Sequence, residues 1–221
     1  YHRLRLLDGD WNYQINDAPY YPQYEPNCIY PKLEFREDKF LLIACDFNYS
    51  PATAVLIQAY DGALNYLKVI QAEGGTIPLG NKLLEYFAQI GWKGSFRLTG
   101  DSSGHKRDTR AGVETDYSQL MKLLKLPQGW VNYNNRSNTA LDRSRDLINL
   151  GFHHKIIKIS RHGCPELIQD LNIAKPLNDK TAEFKKDRDR YKMDVLDAAR
   201  YGYHYFVKDD NDVRIFGTLY K

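Results

Sequence analysis

KFLLIACDFNYSPATAVLIQAYDGALNYLKVIQAE, residues 39–73, decides the fold. Residues 39–45 form a short apolar run bounded by charge, the pattern of a buried strand. "DFNYSPA" then turns the chain, and "TAVLIQAY" and "LNYLKVIQAE" read as two further strands. Asp61-Gly62 between them is a hairpin signal, because both central positions of a tight two-residue turn favour residues that tolerate positive φ. Three strands in succession predict a meander.

On the C-terminal side the periodicity changes. "TIPLGNKLLEYFAQIGW" (76–92) is an amphipathic helix, "SFRLTGD" (95–101) a strand, and a Gly/Ser-rich loop follows. "TDYSQLMKLLKL" (115–126) predicts a helix and "GWVNYNN" (129–135) a strand. A helix over about 138–150, the strand "KIIKIS" (155–160) and a helix near 164–173 come next. The polar "NDKTAEFKKDRDRYK" reads as a loop or hairpin, "YKMDVLDAARYGYHYF" (191–206) as a helix, and 208–221 as a polar C-terminal tail. Pro19, Pro22, Pro26 and Pro31 make residues 1–38 an extended arm without a core of its own. The order predicts one α/β domain over 39–207, a mixed sheet with helices packed on both faces.

The 221 residues are 43% hydrophobic, which suits a single core of this size. A net charge of +3 is only mildly basic, so nucleic-acid affinity would have to come from local patches. Cys28, Cys45 and Cys164 are odd in number and lack metal-ligand spacing, pointing to a reducing, intracellular setting without a disulfide framework or zinc site. No apolar run approaches the roughly 18 residues that a membrane helix needs. Tyr1 is not an initiator, so the chain reads as a piece of something longer.

Asp46 directly follows "FLLIAC", and Asp101 directly follows "FRLTG" after one helical crossover. Were those strands parallel neighbours, both carboxylates would stand at the carboxyl end of the sheet, where ligands of such sheets gather. Asp194 and Asp197, three apart on the late helix, would pack over the same edge. Converging carboxylates raise one another's pKa and are tolerated mainly where a divalent cation neutralises them. Oxygen ligands without Cys or paired His favour Mg²⁺ or Mn²⁺, and two such ions roughly 4 Å apart can clamp a phosphodiester. The structural alternative is open at each position: an Asp after a strand is also a turn former, and Asp194 also suits the first turn of a helix.

These residues carry a resemblance. "FLLIACDFNYSPATAVLIQA", "FRLTGDSSG" and "YKMDVLDAARYGYHYF" resemble the three acidic motifs of the nuclease domain of tailed-bacteriophage large terminase subunits, and "YHRLRLLDGDW" resembles the stretch after the ATPase domain in those proteins. The resemblance spans Tyr1 to about Phe206. It implies an RNase H-like fold with a mixed sheet of five strands or more. It also implies hydrolysis of double-stranded, concatemeric viral DNA with Mg²⁺ or Mn²⁺. By position, Asp46, Asp101 and Asp194 match the metal-binding catalytic carboxylates, and Asp197 the supporting Asp before "AxRY". The family's usual His-Asp pair before the catalytic Asp is Lys192-Met193 here. The implied partners are DNA, an ATPase domain of the same protein, the portal and the small terminase subunit, without a membrane, in the cytoplasm of an infected bacterium. The alternatives are another RNase H-like nuclease of the resolvase type, or a non-catalytic DNA-holding or docking module.

Other signals are weaker. "GGTIPLGNKL" is not a phosphate-binding loop, because Asn81 separates Gly80 from Lys82 and no Ser or Thr follows the Lys. It is the start of a helix, with Pro78 in the first turn. His105, Lys106, Arg107 and Arg110 concentrate basic charge beside Asp101 and could hold DNA phosphates; the alternative is a solvated loop. Lys180, Lys185, Lys186, Arg188, Arg190 and Lys192 are diluted by acidic neighbours and read as a solvated hairpin, and Arg136, Arg143 and Arg145 are further candidates for backbone contact. His153, His154 and His162 lack helical ligand spacing and read as exposed or hydrogen-bonded side chains.

Overall fold

The computed structural model describes residues 19–106, 114–127, 137–177, 183 and 193–219. The meander is present: β2 (Leu41–Asp46), β3 (Ala52–Tyr60) and β4 (Ala63–Ala72) pair antiparallel in turn. Asp61 and Gly62 close the β3–β4 hairpin with φ of 49° and 69°, as a primed turn requires. β5 (Phe96–Gly100) adds parallel to β2, and β6 (Ile157–Ser160) parallel to β4. A two-residue strand of the arm, β1 (Ile29–Tyr30), pairs parallel to β6, so the sheet has six strands in the order β1-β6-β4-β3-β2-β5.

Helices cover both faces. α1 (Thr76–Gln89) and α2 (Asp116–Leu124) close one face over Leu41, Ile43, Leu56 and Leu98. On the other lie α3 (Leu141–His153), α4 (Pro165–Ile173), α5 (Asp194–Phe206) and α6 (Asp210–Leu219), over Leu42, Ala44, Val55 and Ile57. Side chains alternate along a strand, so Asp46 shares the α5 face with Leu42 and Ala44. Asp101 follows Leu98 by three positions and also falls opposite the α1–α2 face.

Three segments differ from their sequence reading. Residues 208–221 are not simply a polar tail: Asp210–Leu219 is helical, and Val213 and Phe216, three apart, share one face and are buried in the α5-side core. The arm has no separate core, yet it is part of this one, with Tyr20 and Tyr21 each 1% exposed against α3 and α5 residues. Two adjacent tyrosines bring more apolar area than the surrounding prolines and charges conceal. The third helix is displaced by about one turn, ending at His153 rather than near 150. The strand expected at 129–135 lies outside the described residues. Among the described residues, no helix is long and apolar enough to cross a membrane.

Candidate metal and nuclease site

β2 and β5 are parallel neighbours with Cys45 opposite Gly100, so Asp46 and Asp101 leave the sheet side by side at its carboxyl end. The Asp101 backbone N–H donates to the Cys45 carbonyl at 3.0 Å, continuing the ladder by one bond. α5 crosses this edge with Asp194 as its first residue. Asp46 and Asp194 are 6% and 8% exposed, and one side chain joins them: Asn48 Nδ2 donates to Asp46 Oδ2 at 2.7 Å and to Asp194 Oδ1 at 3.0 Å.

Asp101 is held separately. Its carboxylate accepts from the Ser103 hydroxyl, from the Ser103 N–H at 3.2 Å and from Asn138 Nδ2 at 2.7 Å, while Asn138 Oδ1 accepts from the Ser102 N–H at 3.0 Å. Burial alone would raise its pKa. These donors, with a smaller contribution from the Arg200 charge, outweigh burial and hold Asp101 below the usual carboxylate value. It therefore stays ionised.

Asp197, one turn into α5, is bound to Arg200 at 3.0 Å in a buried ion pair. The Arg200 guanidinium also lies over the Tyr201 ring at 4.6 Å from its centroid. Asp194 and Asp197 are therefore distinguished by their surroundings: Asp194 shares an amide with Asp46, and Asp197 compensates a buried cation.

A fifth carboxylate stands at this corner. Asp170, on α4, accepts the backbone N–H of Leu196 at 3.3 Å. Burial, then the negative charges of Asp194, Asp197 and Glu166, push its pKa up to about 6, against the opposing hydrogen bond. Among the described residues, no group of three or more His, Cys, Asp or Glu side chains is drawn together closely enough to hold a metal ion as it stands. Each carboxylate instead meets a neighbouring donor. The donor set nevertheless fits a hard divalent cation: two buried carboxylates converge on one N–H₂ group, a place where positive charge is favoured.

The basic candidates separate. His105 stacks on Tyr117 with centroids 4.3 Å apart, so its ring is engaged within the fold, whereas Lys106 is exposed. Arg107, Arg110, Arg136 and the run over 180–192, apart from Glu183, lie outside the described residues. Arg143 pairs with Asp210 at 2.9 Å, and Arg145 lies over the Tyr20 ring at 5.7 Å, so both hold neighbouring segments onto α3. His153, His154 and His162 are exposed, and the three cysteines are free and buried.

Asn48, Asn138, Asp170 and Arg200 were not singled out by sequence. Asn48 lies only two residues past Asp46, but nothing in "DFNYS" says that its amide turns back toward a helix far along the chain. Arg200 and Asp197 offered the one readable signal, an acid-base pair at i,i+3 on a helix.

No family model matches the chain, and no curated protein sequence matches it. Solved structures do. The nuclease domain of the P22 large terminase superposes with a TM-score of 0.62 at 15% identity, covering 91% of this chain and 100% of that one. The large terminase of a thermophilic bacteriophage, in complex with ATP-γ-S, gives 0.59 at 18% identity over 84% of this chain. This chain spans 45% of that protein's length. The large-terminase nuclease domain of bacteriophage SPP1, with bound Mn, gives 0.52 at 13% identity, covering 86% and 99% of the two chains. The fold is thus α/β and RNase H-like, the fold of terminase nuclease domains.

Proposed function

We propose that this domain is a divalent-metal-dependent endonuclease that cuts double-stranded, concatemeric viral DNA during genome packaging. The observation that carries the reading is the convergence of Asp46 and Asp194 on the Asn48 amide at the carboxyl end of β2, next to Asp101 on the parallel neighbour. The fold likeness to terminase nuclease domains supports it.

Asp46, Asp101 and Asp194 are the residues that would hold Mg²⁺ or Mn²⁺, with Asp197 supporting from the next turn of α5. A pair of such cations supplies Lewis-acid activation of water and charge neutralisation at the leaving oxygen. The chain does the rest. The Ser103 and Asn138 donors keep Asp101 ionised. Asn48 holds Asp46 and Asp194 together despite their like charge. Arg200 compensates Asp197 and lends positive charge toward Asp101. Lys106, with Arg107 and Arg110 following it in the sequence, is assigned to DNA phosphates, which position the duplex without reading its sequence.

The catalytic unit is assigned to 39–207, with the arm preceding it and the C-terminal segment following. In the packaging setting its partners are DNA, an ATPase domain of the same protein, the portal and the small terminase subunit, in the cytoplasm of the infected bacterium.

Calorimetric titration with Mn²⁺ tests the assignment. Saturable binding that is lost in Asp46→Asn and Asp194→Asn, each still folded by circular dichroism, supports it. A wild-type chain that takes up no Mn²⁺ and cuts no DNA overturns it in favour of a non-catalytic DNA-holding module.

A further inference from the structure

α5 begins without a local cap. Met193 occupies the N-cap position with φ 59° and ψ 21°, and its side chain makes no capping bond. The first turn of a helix leaves backbone N–H groups without intrahelical partners, and a side-chain oxygen usually accepts one at the second or third position. Here that oxygen comes from another helix. Asp170 reaches from α4 to the N–H of Leu196, the third residue of α5. Leu196 lies between Asp194 and Asp197, so this bond fixes the turn from which both carboxylates project. α4 and α5 also bury Leu171 and Leu196 in one core, which holds the donor and acceptor at a set spacing.

The acid sits where a further negative charge is costly. Its pKa is pushed up by burial and by Asp194 and Asp197. The carboxylate also faces the positive end of the α5 dipole, which offsets part of that repulsion.

We propose that Asp170 is a positioning residue for the metal site: by accepting the Leu196 N–H it sets the first turn of α5 and thereby holds Asp194 against Asp46 and Asn48. The inference rests on the proposed function for its consequence and on the α4–α5 hydrogen bond for its mechanism. Outer partners of metal-ligand groups typically matter by 10–100-fold in metal affinity.

The test compares Asp170→Ala, which removes the acceptor, with Asp170→Asn, which keeps an oxygen acceptor and removes the charge. Two readouts are needed on the full chain: amide hydrogen exchange at Leu196 without metal, and Mn²⁺ affinity by calorimetry. Asp170→Ala is expected to exchange the Leu196 amide roughly 10-fold faster and to weaken Mn²⁺ binding by about 10-fold, with Asp170→Asn restoring most of both. Unchanged exchange at Leu196 in a folded Asp170→Ala chain overturns the positioning role. So does an Mn²⁺ affinity in Asp170→Asn as poor as in Asp170→Ala, which would make the charge and not the cap the operative feature. A wild-type chain with a protected Leu196 amide that binds no Mn²⁺ overturns the metal-site reading instead, together with the consequence drawn from it for Asp170.

Discussion

The amide of Asn48 bonds to Asp194 at 3.0 Å across 146 residues of chain, and the same nitrogen bonds to Asp46 at 2.7 Å. One neutral side chain thus holds two buried carboxylates at the junction of β2 and α5. Asn48→Ala removes both bonds and leaves two like charges facing each other. A stability loss of about 2 kcal/mol is expected by urea unfolding without metal. Added Mn²⁺ should recover part of it by neutralising the pair. A variant as stable as the wild type without metal would show that the amide does not hold the carboxylates together.

Arg200 and Asp197 are the buried ion pair of α5, with side chains 5% and 9% exposed. Removing one partner of such a pair strands the other charge. Arg200→Met should therefore cost about 3–5 kcal/mol. The double variant Arg200→Met with Asp197→Asn should be markedly more stable than the single one. Additive losses in this double-mutant cycle, measured by denaturant unfolding, would contradict the pairing.

Gly202 sets how closely α5 lies on the sheet. A Cβ there would stand 2.3 Å from Ile57 Cδ1 and 2.9 Å from the Ala44 Cβ. Gly202→Ala should cost about 1–3 kcal/mol and push the helix outward. Because Asp194 rides on that helix, Mn²⁺ affinity should fall as well. A thermal melt and a calorimetric titration check both, and retention of full affinity would show that Asp194 does not depend on this approach.

His204 accounts for an acid-side loss of stability. Its Nε2 lies 2.7 Å from the Ser144 hydroxyl and its Nδ1 lies 3.2 Å from the Val207 carbonyl. Burial, aided by the charges of Arg200, Lys208 and Arg143, lowers its pKa from 6.5 to about 4. Between those values the unfolded chain binds a proton that the folded chain refuses, so stability falls as pH falls through that window. Asp170 works in the opposite direction: its raised carboxyl is protonated in the folded state first. Comparison of one variant with the wild type isolates His204. The stability advantage of the wild type over His204→Gln should narrow by roughly 2 kcal/mol between pH 7 and pH 4.5, measured by urea unfolding at each pH. A constant difference would contradict the assignment.

The parts of the fold legible in sequence were those written in short-range pattern. The apolar run ending at Asp46 and the Asp61-Gly62 turn gave the meander, and the run ending at Asp101 gave a further strand, because strand period and turn chemistry are local; that this strand lies parallel beside the first is seen only in the finished sheet. The helix carrying Asp194 and Asp197 was legible for the same reason. Asn48, Asn138 and Asp170 were not, because each acts on a partner brought near only by the finished sheet. Val213 and Phe216 escaped notice because two apolar residues among charges are too few to declare a buried face. Tyr20 and Tyr21 were hidden by the prolines around them, which describe backbone and not burial.

The most direct test of the account is plasmid cutting. Supercoiled DNA is incubated with the wild-type chain in Mn²⁺ and in Mg²⁺, beside Asp46→Asn. The account predicts nicking and linearisation that require the metal and vanish in the variant. Cutting that persists in Asp46→Asn, or that proceeds in chelator, would contradict it.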